Sequence, residues 1–203
     1  MHIACLDFEG VLVPEIWVGL AERTGVEALK ATTRDIPDYD ELMQMRLRIM
    51  NERGLRFADV RAAAESLDPL PGARDFLDWL RGEYQVAIVS DTFYELAMPL
   101  VKKLGLPTML CHRLNVGADG RLSGYRLRQP DPKRNAVRGF KTMRYKVVAT
   151  GDSYNDVPML EEADLSWFFQ PPENVVRDHP RIPVARSYAE LQAAFTAAKA
   201  TLD

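Results

Sequence analysis

Four short apolar runs, at residues 3–6, 86–89, 147–150 and 165–169, stand out along the chain, bounded by polar residues or glycine and rich in Val and Ile. Runs of this length that are apolar at nearly every position are expected of strands buried on both faces. Between them the spacing turns helical. Residues 72–81 follow Pro71 and put Phe76, Leu77 and Leu80 on one face, and 94–104 form a second such segment. Strand–helix alternation of this kind predicts βαβ units, and so an α/β fold around a parallel sheet.

Two stretches interrupt that alternation. Residues 13–70 hold no convincing strand, carry helical periodicity at Leu42, Met45, Ile49 and Met50, and are too long for a simple connection. A helical cap inserted after the first strand is expected there. Residues 111–129 alternate in short runs punctuated by Gly117, Gly120 and Gly124, the pattern of a β-hairpin beside the sheet. The expected division is an α/β core from 1–12 and 71–203, a helical cap over 13–70, and a hairpin over 111–129 within the core. No internal repeat or flexible linker is visible.

Composition narrows the partners. The 203 residues are 47% hydrophobic and 27% charged, ordinary for a packed globular protein. With 26 basic against 29 acidic side chains the net charge is −3, which gives no footprint for nucleic acid or for an anionic membrane surface. A small-molecule partner is expected. No basic region followed by a long apolar run opens the chain and charges interrupt every longer apolar stretch, so a cytoplasmic protein without a membrane span is expected. Cys5 and Cys111 form no metal-binding pattern and read as buried free thiols.

The chemistry lies where strands end. Three of the four apolar runs lead directly into polar residues: Asp7 and Glu9, Ser90 and Asp91, and Asp152. Ligands of parallel sheets bind beyond the carboxyl ends of strands, so these residues are expected to converge. A carboxylate attacking a phosphorus centre needs a divalent cation and nearby donors to cancel the repulsion between two anions. Asp7 and Asp152 are hard oxygen ligands suited to Mg2+, with Asp156 holding them in place. Ser90, backbone amides at the start of the following helix and Lys133 supply the donors. Glu9, two residues past Asp7, points the same way if extended geometry continues, and so can protonate a leaving oxygen and later activate water.

In this order the residues resemble the four motifs of the haloacid dehalogenase superfamily. Asp7-Phe8-Glu9-Gly10-Val11 resembles its first motif, 86–90 its second, Lys133 its third, and Gly151-Asp152-Ser153-Tyr154-Asn155-Asp156 its fourth. The resemblance implies a Rossmann-like core, an aspartyl-phosphate intermediate on Asp7, and Mg2+ bound by Asp7, Glu9 and Asp152. Cap position and length are similar to the phosphoserine phosphatase branch. There Glu15 resembles the glutamate that receives the substrate ammonium, Arg46 or its neighbour Arg48 the arginine that clamps the carboxylate, and Asn155 a residue of the last motif.

Two departures stand out: Glu9 replaces an aspartate, and Ser90-Asp91-Thr92-Phe93 replaces a serine followed by paired glycines. Both resemble a narrower bacterial group that hydrolyses phosphoserine and also transfers its phosphate to homoserine, as do the opening 3–17, the stretch 31–39 and residues 90–94. On that resemblance Asp91 and Thr92 join Ser90, Lys133 and Asn155 around the phosphate, and the partners are phosphoserine and homoserine.

Each feature has a plainer reading. Acidic pairs at strand ends are usually solvated, Gly-Asp-x-x-x-Asp can be a capped turn, Ser90 a cap, and Lys133 one charge on a basic helix face running to Lys146. Glu15 after Pro14 also suits a helix first turn. Trp17, Trp79 and Trp167 read as packing residues, and His2, His112 and His179 lie outside the motifs. A phosphatase of another small ester, or a silent scaffold retaining the fold, remain the competing functions; a monomer or homodimer is expected.

Overall fold

The computed structural model describes every residue except Arg34 and Pro37, so that part of the stretch 31–39 lies outside the described residues. Seven strands form one sheet: β1 (His2–Leu6), β2 (Gln85–Phe93), β3 (Thr108–Val116), β4 (Leu122–Arg126), β5 (Lys146–Gly151), β6 (Leu165–Phe169) and β7 (Val184–Ala185). Their order is β4-β3-β2-β1-β5-β6-β7, all parallel except β4, so β1 is central. It pairs with β2 and β5 in one register, Leu6 lying opposite Ile88 and Thr150. The three chemistry-bearing strands are therefore neighbours and end at the same edge.

The apolar runs are continuous because both faces of the sheet are covered. Ala4 and Leu6 pack with Ile88 and Val148 on one side, while Ile3 and Cys5 pack with Ala87, Val147 and Ala149 on the other. Cys5 and Cys111 are buried free thiols.

The helical segment after β1 holds α1 (Ile16–Thr24), a 3-10 turn (Glu27–Lys30), α2 (Tyr39–Glu52) and α3 (Phe57–Ser66). α1 ends at Gly25 in the left-handed region, φ 70°, and Asp38 caps α2 by accepting from the Glu41 amide at 2.9 Å. The buried stripe of α2 is Leu42, Met43, Arg46, Leu47 and Met50. Met45 and Ile49, expected on that stripe, are only half-buried.

The remaining helices, α4 (Ala73–Glu83), α5 (Tyr94–Lys103), α6 (Pro132–Thr142), α7 (Val157–Glu162), α8 (Glu173–Asp178) and α9 (Tyr188–Leu202), flank the sheet. The glycine-punctuated stretch is an antiparallel hairpin, but its first strand begins at Thr108 and also pairs in parallel with β2, so the hairpin is the sheet's edge. β2 runs on through Ser90, Asp91 and Thr92 to Phe93, and α5 starts only at Tyr94. The helix expected over 94–104 thus begins where it was placed, and residues 91–93 extend the strand before it. No described helix is long and apolar enough to cross a membrane.

Candidate active site

At the carboxyl edge of β1 the chain does not stay extended. The Leu12 and Val13 amides both return to the Phe8 carbonyl, at 2.8 and 3.0 Å, and Gly10 takes φ 81°. This loop, not a continuing strand, brings Glu9 to the same cavity as Asp7. Gly10 is required twice over: a Cβ there would meet the Asp152 carboxyl carbon at 2.6 Å in a conformation side chains disfavour. Gly151 has the same role behind it, since its Cβ would fall 2.2 Å from the Asp156 carboxyl carbon.

Asp7, Asp152 and Asp156 are buried, with one carboxylate oxygen from each within 4.8 Å of the others. Asp156 is already committed. Its Oδ2 accepts from the Asp152 and Ser153 amides at 2.9 and 3.0 Å, and its Oδ1 accepts from Lys133 Nζ at 2.5 Å. The same ammonium, 2% exposed, lies 3.0 Å from Asp7 Oδ1 and 3.8 Å from Asp91 Oδ2. The Asp7 contact is an ion pair without hydrogen-bond geometry, which leaves Oδ1 with no hydrogen-bond donor among the described residues.

Burial would lower the Lys133 pKa, but Asp156, Asp7 and Asp91 outweigh it and hold the ammonium well above its ordinary value. Burial pushes Asp7 well above the usual carboxylate range, Asp156 adds to the rise, and Lys133 only partly offsets it. The three buried carboxylates form a compact all-oxygen donor set that suits Mg2+. The Glu9 carboxylate, also expected among the ligands, is not in this group; its Oε1 accepts from Thr92 Oγ1 at 3.3 Å.

The opposite wall comes from the helical segment. Glu15, Trp17, Tyr39, Leu42 and Arg46 line the cavity with Ser90, Asp91, Thr92, Phe93, Asp152, Ser153 and Asn155. Arg46 is buried, its guanidinium 4.7 Å from the centre of the Trp17 ring and one Nη donating to the Ala31 carbonyl at 2.9 Å. Its Nε is buried with no hydrogen-bond partner among the described residues. Arg48 is exposed on the other side of α2. Glu15 occupies the N-cap position of α1 yet makes no capping bond, and its side chain lines the cavity beside Glu9. Burial chiefly raises the Glu9 pKa, Glu15 raises it further, and Arg46 opposes both.

Sequence reading missed three contributors. Trp17 packs as expected but also walls the cavity, Tyr39 donates to the Asp91 carbonyl at 2.7 Å, and His112 faces the Asp91 carboxylate at 3.4 Å. Arg46 had one signal: it sits at i+4 between Leu42 and Met50, on the buried stripe. Of the basic stretch, Lys133 turns inward, whereas Arg134, Arg138 and Lys141 pair with Asp131, Glu161, Glu162 and Asp164 nearer the surface.

A central parallel strand ending in a buried aspartate, beside a buried lysine and an acidic loop, defines a class. The chain belongs to the haloacid dehalogenase-like hydrolase family, whose model matches residues 6–161. Within it, the chain is 55% identical over 195 residues to phosphoserine phosphatase ThrH of Pseudomonas aeruginosa, covering 96% of this chain and 95% of that protein. It is likewise 55% identical over 195 residues to a phosphoserine phosphatase of Pseudomonas syringae pv. tomato, covering 96% and 82%. The fold is shared with a solved phospho-aspartyl intermediate analogue of a phosphoserine phosphatase, TM-score 0.79 at 23% identity, over 95% of this chain and 98% of that one.

Proposed function

We propose that the chain hydrolyses phosphoserine through an aspartyl phosphate on Asp7 and also passes that phosphate to homoserine. The observation that carries this reading is the pairing across one cavity of buried Asp7, with Lys133 3.0 Å behind it, and Asp152 with Arg46, whose buried Nε has no hydrogen-bond partner among the described residues, and Glu15. An amino acid ester bears a phosphate at one end and an ammonium and a carboxylate at the other; Glu15 and Arg46 carry charges complementary to the second pair, and Lys133 with a cation held by Asp7 and Asp152 would meet the phosphate. The names of the two Pseudomonas relatives support the substrate.

Asp7 and Asp152 would hold Mg2+, with Asp156 bracing them; bound there, the cation would offset their charge and that of the phosphate. Arg46 clamps the substrate carboxylate, Glu15 receives the ammonium, and the helical segment 13–70 acts as the cap that excludes water. An Asp7 carboxylate oxygen forms a bond to phosphorus as the phosphorus–serine oxygen bond breaks, and Glu9, raised by burial, donates its proton to the departing oxygen. Lys133, Ser90, Thr92 and Asn155 stabilise the anionic phosphoryl group, and Asp91 anchors Lys133. Glu9 then takes a proton from the second nucleophile, whose oxygen bonds to phosphorus as the aspartyl bond breaks. Water yields inorganic phosphate; the homoserine hydroxyl yields phosphohomoserine.

The test is incubation with phosphoserine and Mg2+, with and without homoserine, measuring phosphate and phosphohomoserine together. Both products are expected, and Asp7→Asn should abolish both while leaving the thermal transition in place. Unchanged turnover in that variant would refute the covalent route, and absence of phosphohomoserine would refute the transfer.

A further inference from the structure

His112, 1% exposed in β3, is not on the cavity wall but directly behind it. Its Nδ1 accepts the Arg128 backbone N–H at 3.2 Å, which assigns the ring proton to Nε2. Nε2 faces Asp91 Oδ1 at 3.4 Å. The other oxygen of Asp91 accepts from Asn155 Nδ2 at 3.0 Å and lies 3.8 Å from Lys133 Nζ, which reaches Asp7 at 3.0 Å. Tyr39 closes the arrangement from α2, donating to the Asp91 carbonyl at 2.7 Å and setting its ring edge-on to His112 with centroids 6.1 Å apart.

A single carboxylate therefore links strand β2, the lysine of α6 and the acidic loop after β5, with a buried imidazole behind it that lies outside the cavity wall. A carboxylate with freedom to rotate would let the Lys133 ammonium shift away from Asp7, and a misplaced charge is costly in a water-poor site. Burial raises the Asp91 pKa, but Lys133, His112 and Asn155 outweigh it and hold it at about 2, as an anion committed to these donors.

We propose that His112 is a positioning residue for phosphoryl transfer: its Nε2–H fixes the rotamer of Asp91, which in turn sets Lys133 against Asp7 and holds Asn155 at the cavity. The proposal rests on the reading above only for its choice of substrate.

The test compares His112→Phe, which keeps a ring and loses the donor, with His112→Gln, which restores an N–H near Nε2, alone and with Asp91→Asn. Turnover is measured on phosphoserine and on p-nitrophenyl phosphate with Mg2+, alongside thermal melts. His112→Phe should lower kcat about 10-fold or more with KM little changed. His112→Gln should recover most of the loss, and adding His112→Phe to Asp91→Asn should cost little more than Asp91→Asn alone. A kcat that falls only with the folded fraction, no recovery in His112→Gln, or losses that multiply in the double variant would overturn the proposal. Turnover of the aryl ester without phosphoserine would refute the substrate assignment and still measure the network. Should neither ester react, the wild-type His112 Nε2–H resonance decides: slow exchange that Asp91→Asn abolishes supports the proposal, and its absence overturns it.

Discussion

Arg46 and Arg48 lie two positions apart on α2, and burial separates them: one lies over Trp17 at the cavity, the other faces solvent. The chain leaves the choice between them open because an arginine carries no hydrophobic signal of its own. Helical phase resolves it once Leu42 and Met50 are known to be the buried rows. Arg46→Lys keeps the charge but loses the planar fork, so KM for phosphoserine should rise roughly 10-fold, the scale of one charge-assisted hydrogen bond of about 1.5 kcal/mol. Arg48→Ala should leave KM within about 2-fold. Steady-state kinetics on the two variants check this, and equal effects would refute the clamp. His112 shows the opposite limit: nothing local marks it, because its partners Asp91 and Arg128 come from other parts of the chain.

At the scale of elements, what the sequence showed best was the strands, and what it showed least was how they end. β1, β2, β5 and β6 were legible as apolar runs because burial on both faces removes the polar alternation. β7, only Val184–Ala185, is too short to carry a pattern, and the extension of β2 through Ser90-Asp91-Thr92 is polar, so propensity argues against it. The loops after β1 and β5 work by close approach. Gly151→Ala would put a methyl group into the Asp156 carboxylate, so the loop must move or Asp156 must release the Asp152 and Ser153 amides. A stability loss on the order of 1–3 kcal/mol is expected from overpacking, with activity falling further than stability. Thermal melts beside kcat would show this, and a variant with normal turnover would mean that the loop's close packing is dispensable.

Across the whole molecule the organising feature is a buried cluster of carboxylates at the end of the central strand. Asp7 titrates well above its unfolded value, chiefly through burial and Asp156, so the metal-free fold gains stability from it below the ordinary carboxylate pKa. That contribution is lost as pH rises through the raised folded pKa. Mg2+ at the site should reverse the trend by favouring the ionised form. At 100 times its dissociation constant Mg2+ would stabilise the fold by about 2.7 kcal/mol, a rise in Tm of about 5–10 °C at neutral pH that shrinks on acidification. Calorimetry with Mg2+ and with chelator checks this, and a Tm indifferent to Mg2+ at neutral pH would refute a site held by Asp7 and Asp152. The Asp152→Asn variant should lose most of the shift.

The sequence by itself determined the α/β alternation, the acidic residues at the ends of the central strands, the order of the four motifs and hence the family. These are local properties: apolar run length, turn glycines and residue chemistry at fixed spacing. Tertiary structure alone decided that Glu9 reaches the cavity by a loop, that Arg46 and not Arg48 faces it, and that Trp17 and Tyr39 line it with His112 behind Asp91. The physical reason is that a side chain's pattern tells which face it presents, whereas its partner is set by packing between elements far apart in the chain.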